Sequence, residues 1–320
     1  MYKQPTAIIA ADIHLREDVP LCRTDDYFQA QSRKVRWLRK LRKDLNCPVI
    51  VAGDVFDHWK PSPFLLGWAI KSLPPFLAIP GQHDLPQHRL GLLPKSGFYV
   101  LKAAKKLWLL KGPKKARRRP GTRDPIKGPF PALSDCIQAT TGLHGVVYGY
   151  AYGEKLRDPD EIPGRSVAIA HRLTWKNVLP YPGCAADSAL DLLKKHPYDL
   201  IVTGDNHKPF VVKHQGRLLV NPGSMMRMDA DQVEHRPRVY LWYAKSNSVE
   251  RVYYPIEKGV VSREHITDQK KQEEQFQVLV QRLQEVDSEL GLSYSRNVKR
   301  YLRKHRTRKE VIDIIWEAMP

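Results

Sequence analysis

Six times in its first 210 residues the chain passes through an apolar, largely β-branched run and then breaks off, usually into Asp, His or Gln. The runs are "TAIIAADIH" (6–14), "CPVIVAGDVFD" (47–57), "PPFLAIPGQHD" (74–84), "GVVYGYAYG" (145–153), "SVAIAHRL" (166–173) and "YDLIVTGDNH" (198–207). Near-continuous apolar runs of this length suit strands covered on both faces. Helical patterns lie between several of them. Residues 24–45 offer Thr24 or Asp25 as N-cap and Phe28, Val35, Leu38, Leu41 and Leu45 along roughly one face, and residues 186–196 form a shorter example. This alternation predicts an α/β sandwich whose loops carry chemistry at strand ends.

Beyond residue 210 the pattern changes. "FVVKHQGRLLVNPGS" predicts a hairpin turning at Gln215-Gly216, and residues 236–244 and 249–257 predict further strands. From about residue 265 the chain reads as helical and highly charged, so a boundary is expected near 260, with a main domain over 1–260 and a smaller, basic, helical region over 261–320. Residues 111–129, "KGPKKARRRPGTRDPIKGP", match neither plan and predict an exposed basic loop. Its Lys114, Lys115, Arg117, Arg118 and Arg119 read equally as a nucleic-acid contact or as a solvated linker.

The charge balance bears on that choice. Against 34 acidic residues stand 53 Lys and Arg, a formal net charge of +19, which attracts polyanions. No apolar stretch approaches the roughly 18 residues of a membrane span, and "MYKQPTAIIAADIH" lacks the pattern of a secretory signal. Cys22, Cys47, Cys136 and Cys184 form no C-x-x-C pair. These features predict a cytoplasmic protein with reduced thiols and no membrane partner.

Five strand ends collect the groups that carry chemistry: Asp12 and His14; Asp54 and Asp57; Gln82, His83 and Asp84; His171; and Asp205 and His207. Asp12 and His14, two apart at the end of a strand, are expected to point to one side. A mixture of imidazole and oxygen donors suits divalent ions of octahedral preference such as Mn²⁺, and Zn²⁺ or Fe²⁺ less comfortably.

Taken in order, D-x-H, G-D-x-x-D, a G-x-H-D turn, a strand-closing His and G-x-x-H, the chain resembles the calcineurin-like metallophosphoesterase superfamily over residues 6 to about 224. Within it, "GDVFD" followed by "KPSP", "GQHDLPQH" and "NPGSMMRM" resemble the SbcD-type DNA exonucleases of phage and bacteria. The resemblance implies a metallophosphoesterase β-sandwich flanked by helices and a site for two divalent ions; the donor chemistry favours Mn²⁺ for both, with Mg²⁺ as the alternative. Asp12, His14 and His207 would hold one ion, Asp54 would bridge, and Gln82, His171 and Asp205 would hold the other. It further implies in-line hydrolysis of a phosphodiester. His83 would protonate the leaving oxygen or stabilise the phosphate, oriented by Asp84.

Two positions depart from the superfamily's usual pattern: Gln82 stands where Asn is expected and Asp205 where His is expected. Gln keeps the amide oxygen but adds a methylene, and Asp makes the second site harder and more negative. Both changes fall on one ion's ligands and leave the first site and the bridge intact, which favours retuning of the second site over its degradation. His58 reads as a DNA contact or an exposed turn residue, Asp57 as an aid in positioning, and "NPGS" (221–224) as a structural closure or a phosphate-facing turn. Helix residues 31–43 are expected to put their charges in water. Leu279, Leu283 and Val286 offer an apolar stripe that could pack internally or dock on the coiled coil of an SbcC-like ATPase, and a homodimer is a further partner to consider. The expected function is a metal-dependent DNA exonuclease of recombination or repair. Its rivals are a small-molecule phosphodiesterase of the same fold and a DNA-binding accessory subunit with an impaired second metal site.

Overall fold

The structure is a computed structural model describing residues 4–112, 145–159, 164–179, 183–264, 294–305 and 307–317. The chain divides into two compact units, Met1–Ser262 and Arg263–Pro320. The basic loop residues 113–119, the stripe Leu279, Leu283 and Val286, and Cys136 lie outside the described residues.

Two sheets dominate the first unit. One places β1 (Ala7–Ala10), β2 (Val49–Val51), β3 (Phe76–Ala78) and β4 (Leu107–Leu109) side by side and parallel. β12 (Arg238–Tyr243) and β13 (Ser248–Tyr253) extend it antiparallel beyond β1, giving the order β13-β12-β1-β2-β3-β4. The other sheet has the order β10-β11-β9-β6-β5, from β5 (Gly145–Tyr150), β6 (Arg165–His171), β9 (Leu200–Gly204), β10 (Phe210–His214) and β11 (Arg217–Asn221). Two short strands, β7 (Thr174–Trp175) and β8 (Asp187–Ser188), pair separately.

Three apolar layers explain why the strands are apolar on both faces. Between the sheets lie Ile9, Ile50 and Leu77 against Val167, Ile169, Val202 and Val220. On the outer face of the first sheet, Ile8, Val49, Val51 and Phe76 share a core with Val35 and Leu38 of α1 (Tyr27–Leu45), Leu65 and Ala69 of α2 (Pro63–Ser72), and Phe98 and Leu101 of α3 (Gly97–Ala103). On the outer face of the second, Ala168, Ile201 and Leu219 meet Leu192 and Leu193 of α4 (Ala189–Lys195). Successive residues of β1 therefore alternate between two dry layers, and no polar face is needed. The second unit contains α5 (Tyr294–Lys304) and α6 (Lys309–Glu317). No helix among the described residues is long and apolar enough to cross a membrane.

Local chemistry sets several boundaries differently from the sequence pattern. The cap of α1 is Asp26, neither Thr24 nor Asp25: its side chain accepts from Gln29 N at 2.9 Å. The fit is positional, because an N-cap must sit three residues before the amide it receives. The hairpin falls where expected, with Gln215 at φ 49° and Gly216 at φ 75° between paired His214 and Arg217. Two consecutive left-handed residues match the twist that a two-residue hairpin requires. Cys22, Cys47 and Cys184 form no disulfide among the described residues.

Candidate metal centre

β1 stops at Ala10, so Asp12 and His14 are not strand residues and their common direction does not come from strand alternation. Both are left-handed, at φ 48° and 46°, as are Asp54 at 50° and Asp205 at 79°. A non-glycine residue held there is disfavoured by about 1–3 kcal/mol, which persists only where the surroundings over-determine the conformation. Each of the four directly follows one of the parallel strands β1, β2 and β9 or lies a few residues beyond it. The shared backbone twist turns their side chains into one space.

Two glycines allow that space to close. A Cβ on Gly53 (φ 93°) would lie 2.1 Å from His171 Nδ1, and a Cβ on Gly81 would lie 2.1 Å from Asp54 Oδ1. Only hydrogen fits at either contact, which accounts for the glycine of "PGQHD".

Three imidazoles are built alike. His171 donates from Nδ1 to the Ala52 carbonyl at 2.6 Å and faces Asp54 Oδ2 with Nε2 at 3.2 Å. His14 has Nδ1 3.3 Å from Asp57 Oδ1, while its Nε2 lies 3.2 Å from His207 Nε2 and 3.7 Å from Asp54 Oδ2. His207 has Nδ1 3.9 Å from Asp229 Oδ2. In each, one ring nitrogen lies on the side of a carbonyl or carboxylate, hydrogen-bonded in His171 and ion-paired in His14 and His207, and the other faces the centre, the usual arrangement around metal-ligating histidines.

The carboxylates are committed by half. Asp12 Oδ1 accepts from Asp205 N at 3.0 Å and Asp54 Oδ1 from His83 N at 2.9 Å. Their other oxygens, Asp12 Oδ2 and Asp54 Oδ2, are buried without a hydrogen-bond partner, as are Gln82 Oε1 and His171 Nε2. Burying four such atoms unpaired is unfavourable, and a divalent cation is the group that their mixed chemistry would satisfy. Donor atoms of Asp12, His14 and His207 fall within 4.8 Å of one another, as do those of Asp12, Asp54 and His171. The residues present fit a metal.

Gln82 and Asp205 meet directly: Gln82 Nε2 donates to Asp205 Oδ1 at 2.6 Å. The amide is thereby oriented with Oε1 free, and one oxygen of Asp205 is spent in holding it.

Protonation follows the same geometry. Burial alone would lower His171, but Asp54, Asp12 and Asp205 raise it to about 10. Burial would raise Asp54, but His171, His14 and His83 hold it well below the usual carboxylate range. A protonated His171 thus faces an ionised Asp54 across 3.2 Å where a cation would lie. For His207, burial works against charge while Asp229 and Asp12 raise its affinity for a proton. Burial pushes Asp12 upward despite its histidine neighbours.

Asp84 has a different task from the one expected. Its carboxylate accepts from Val55 N and Phe56 N at 3.1 Å through Oδ1 and from Gly81 N at 3.1 Å through Oδ2, tying the Asp54 loop to the Gln82 turn. Burial and the Asp54 charge push it up to about 7, against the pull of those three amides. His83 is oriented instead by Asp57, whose carbonyl accepts from Nδ1 at 2.7 Å. Both Asp84 oxygens face backbone amides, and the His83 nitrogen that could reach a carboxylate is already taken by the Asp57 carbonyl.

Asp57 therefore serves twice, through its carbonyl to His83 and its carboxylate to His14, and Arg16 Nη1 braces that carboxylate at 3.1 Å. The D-x-x-D spacing hinted at this. Nothing local to Arg16 or Asp229 marked them. His58 lies on an exposed turn with its ring 5.3 Å from that of Trp59. Ser224 of "NPGS" donates its N–H to the His207 carbonyl at 3.2 Å, and Met225 donates to that of Asp12 at 3.0 Å, so the segment closes the site structurally. Arg33, Arg36, Arg39, Lys40 and Lys43 on α1 are exposed as expected, but Lys34 is buried and donates to the Met225 carbonyl at 2.7 Å.

A family model described as the calcineurin-like phosphoesterase superfamily domain matches residues 6–241. The chain belongs to that superfamily. Its members are metal-dependent phosphoester hydrolases with a dinuclear divalent site. No curated protein sequence matches the chain. Similar solved structures include an archaeal phosphodiesterase (12% identity, 77% of this chain and 98% of the other, TM-score 0.38). They also include the phosphopantetheinyl hydrolase of Mycobacterium tuberculosis (13%, 79% and 97%, TM-score 0.42). A third is a metallophosphoesterase of Sphaerobacter thermophilus (12%, 78% and 89%, TM-score 0.32).

Proposed function

We propose that this superfamily member is a phosphodiesterase acting on DNA, of the SbcD exonuclease type, with Asp12, His14 and His207 holding one divalent ion, Asp54 bridging, and Gln82, His171 and Asp205 holding a second. The observation that carries the reading is the set of buried, unpartnered donor atoms in a chain of net charge +19. The donors favour a cation pair, and the charge favours a polyanionic diester over a small substrate. Mn²⁺ suits the oxygen-rich second site best.

When bound, such ions neutralise the phosphate and lower the pKa of water to make the nucleophile. The remaining work falls to the chain's own groups. His83, with Nδ1 committed to the Asp57 carbonyl, has only Nε2 left to pass a proton to the leaving oxygen. Asp54 positions His83 in turn, because its Oδ1 receives the His83 amide.

Linear duplex DNA, single-stranded DNA and a chromogenic diester should be assayed side by side, with Mn²⁺ and with chelator after metal stripping. Metal-dependent degradation of DNA is expected. Turnover of the small diester with DNA untouched would point to the small-molecule rival, and activity surviving thorough chelation would overturn the metal assignment.

A further inference from the structure

A cleft of about 900 Å³ opens beside the metal centre and takes no part in the chemistry above. Asn206 and Lys208, on either side of His207 in sequence, form one end of its lining. From there it runs between the edges of the two sheets, bounded by Phe210, Val211 and Lys213 on β10 and by Arg238, Tyr240, Val249 and Arg251 on β12 and β13. Trp175 of β7 lines it as well.

Two properties limit what this cleft can hold. The first is charge: the lining includes five Lys or Arg side chains and no Asp or Glu. Lys208 has Asp231 at 3.7 Å, whereas Lys176, Lys213, Arg238 and Arg251 form no ion pair among the described residues. Two of the cations are held in advance, since the guanidinium groups of Arg238 and Arg251 lie 5.0 Å and 6.0 Å from the centroid of the Tyr253 ring. A stacked guanidinium loses less freedom when it meets an anion than a free side chain does.

The second property is aromatic. Trp175 is only half-buried, so its ring has surface left to offer, whereas the Phe210 ring packs with Val212 on the outer face of the second sheet. Phosphates alone would account for the cations but not for the Trp175 ring. Bases inside a duplex have no face free to stack, whereas a single strand presents charge and base faces together.

We propose that this cleft binds a single-stranded segment of the DNA substrate where it passes the metal centre, with phosphates on Lys176, Lys213 and Arg251 and a base stacked on Trp175. The proposal rests on the DNA-hydrolase reading and adds the path of the strand.

Binding of a labelled oligothymidylate, measured by anisotropy in chelator over a range of salt, tests it. Each lost phosphate contact should reduce the slope of log K against log salt by about 0.7. Lys213→Ala/Arg251→Ala, at two exposed positions, should therefore flatten the slope by about 1.4. Trp175→Ala should weaken binding about 5- to 150-fold with the slope unchanged, and Trp175→Phe, which keeps a ring, should recover most of the loss. Hydrolysis of a small chromogenic diester should be unaffected in all three. Wild-type affinity and slope in both the double variant and Trp175→Ala would overturn the groove. If duplex DNA were still degraded in a metal-dependent way, the DNA-hydrolase reading would survive that result; failure of the wild-type protein to bind the oligonucleotide or to degrade any DNA would remove both.

Discussion

Replacing Asp84 by Asn separates two accounts of the "PGQHD" turn. The carboxylate receives three backbone amides, Val55 and Phe56 on one oxygen and Gly81 on the other. Asn has one oxygen. With that oxygen toward Val55 and Phe56, the new NH₂ faces the Gly81 N–H, leaving two buried donors without an acceptor. A buried unsatisfied donor is unfavourable by about 1–3 kcal/mol, so two of them, offset in part by removing a buried charge that the fold disfavours, should destabilise by about 2–4 kcal/mol. For a unit of this size that corresponds to a fall in Tm of about 5–15 °C. The measurement is thermal unfolding at pH 8 in chelator, above the value of about 7 to which burial pushes Asp84, so that the wild-type group is ionised. Metal content should be read in parallel, because the amides concerned adjoin Asp54 and Gln82. An unchanged Tm with a large fall in kcat would refute the clamp and restore Asp84 as a partner of His83.

His83→Ala should keep its metals and lose about 10²–10⁴ in rate, the scale of a general acid, whereas Asp54→Ala should lose both; metal analysis of the purified variants decides, and an empty His83→Ala would make His83 a ligand. Because Asp54 raises His171 to about 10, the metal-free site holds a proton there at pH 8 that a cation must displace. Metal affinity should therefore rise with pH up to about 10, by about tenfold per unit, and calorimetry in buffers of different ionisation enthalpy should record at least about one proton released; no release would contradict a protonated His171 beside Asp54. Gln82→Asn shortens the side chain that reaches Asp205 at 2.6 Å, so it should lower activity alone and recover part of the loss when combined with Asp205→His. A strictly additive double-mutant cycle would show the pair to be uncoupled, and gains from both single changes would favour an impaired second site.

How much of this could be read in advance depends on the range of the interaction concerned. Apolar runs and their polar ends are local, and they were enough to foresee the two-faced strands, the sandwich and a gathering of Asp, His and Gln residues at one edge; it was the resemblance to the superfamily that singled out Asp12, His14, Asp54, Gln82, His171, Asp205 and His207. The orientation of that group was not local. His171 is set by a carbonyl 119 residues away, and His14 meets His207 across 193 residues. Those pairs exist because two sheets place the ends of their parallel strands together, a property of packing and not of any window of sequence. The same limit hid Asp229 beside His207, the burial of Lys34 beneath Met225, and the turn from strand alternation to left-handed backbone at Asp12 and His14. It also hid the cationic cleft, whose two walls come from different sheets. Residue identity alone determined which donors the chain could offer a metal; the fold decided which atoms of those donors remain unpartnered, because only close packing can exhaust the other hydrogen-bonding choices of a carboxylate or an imidazole.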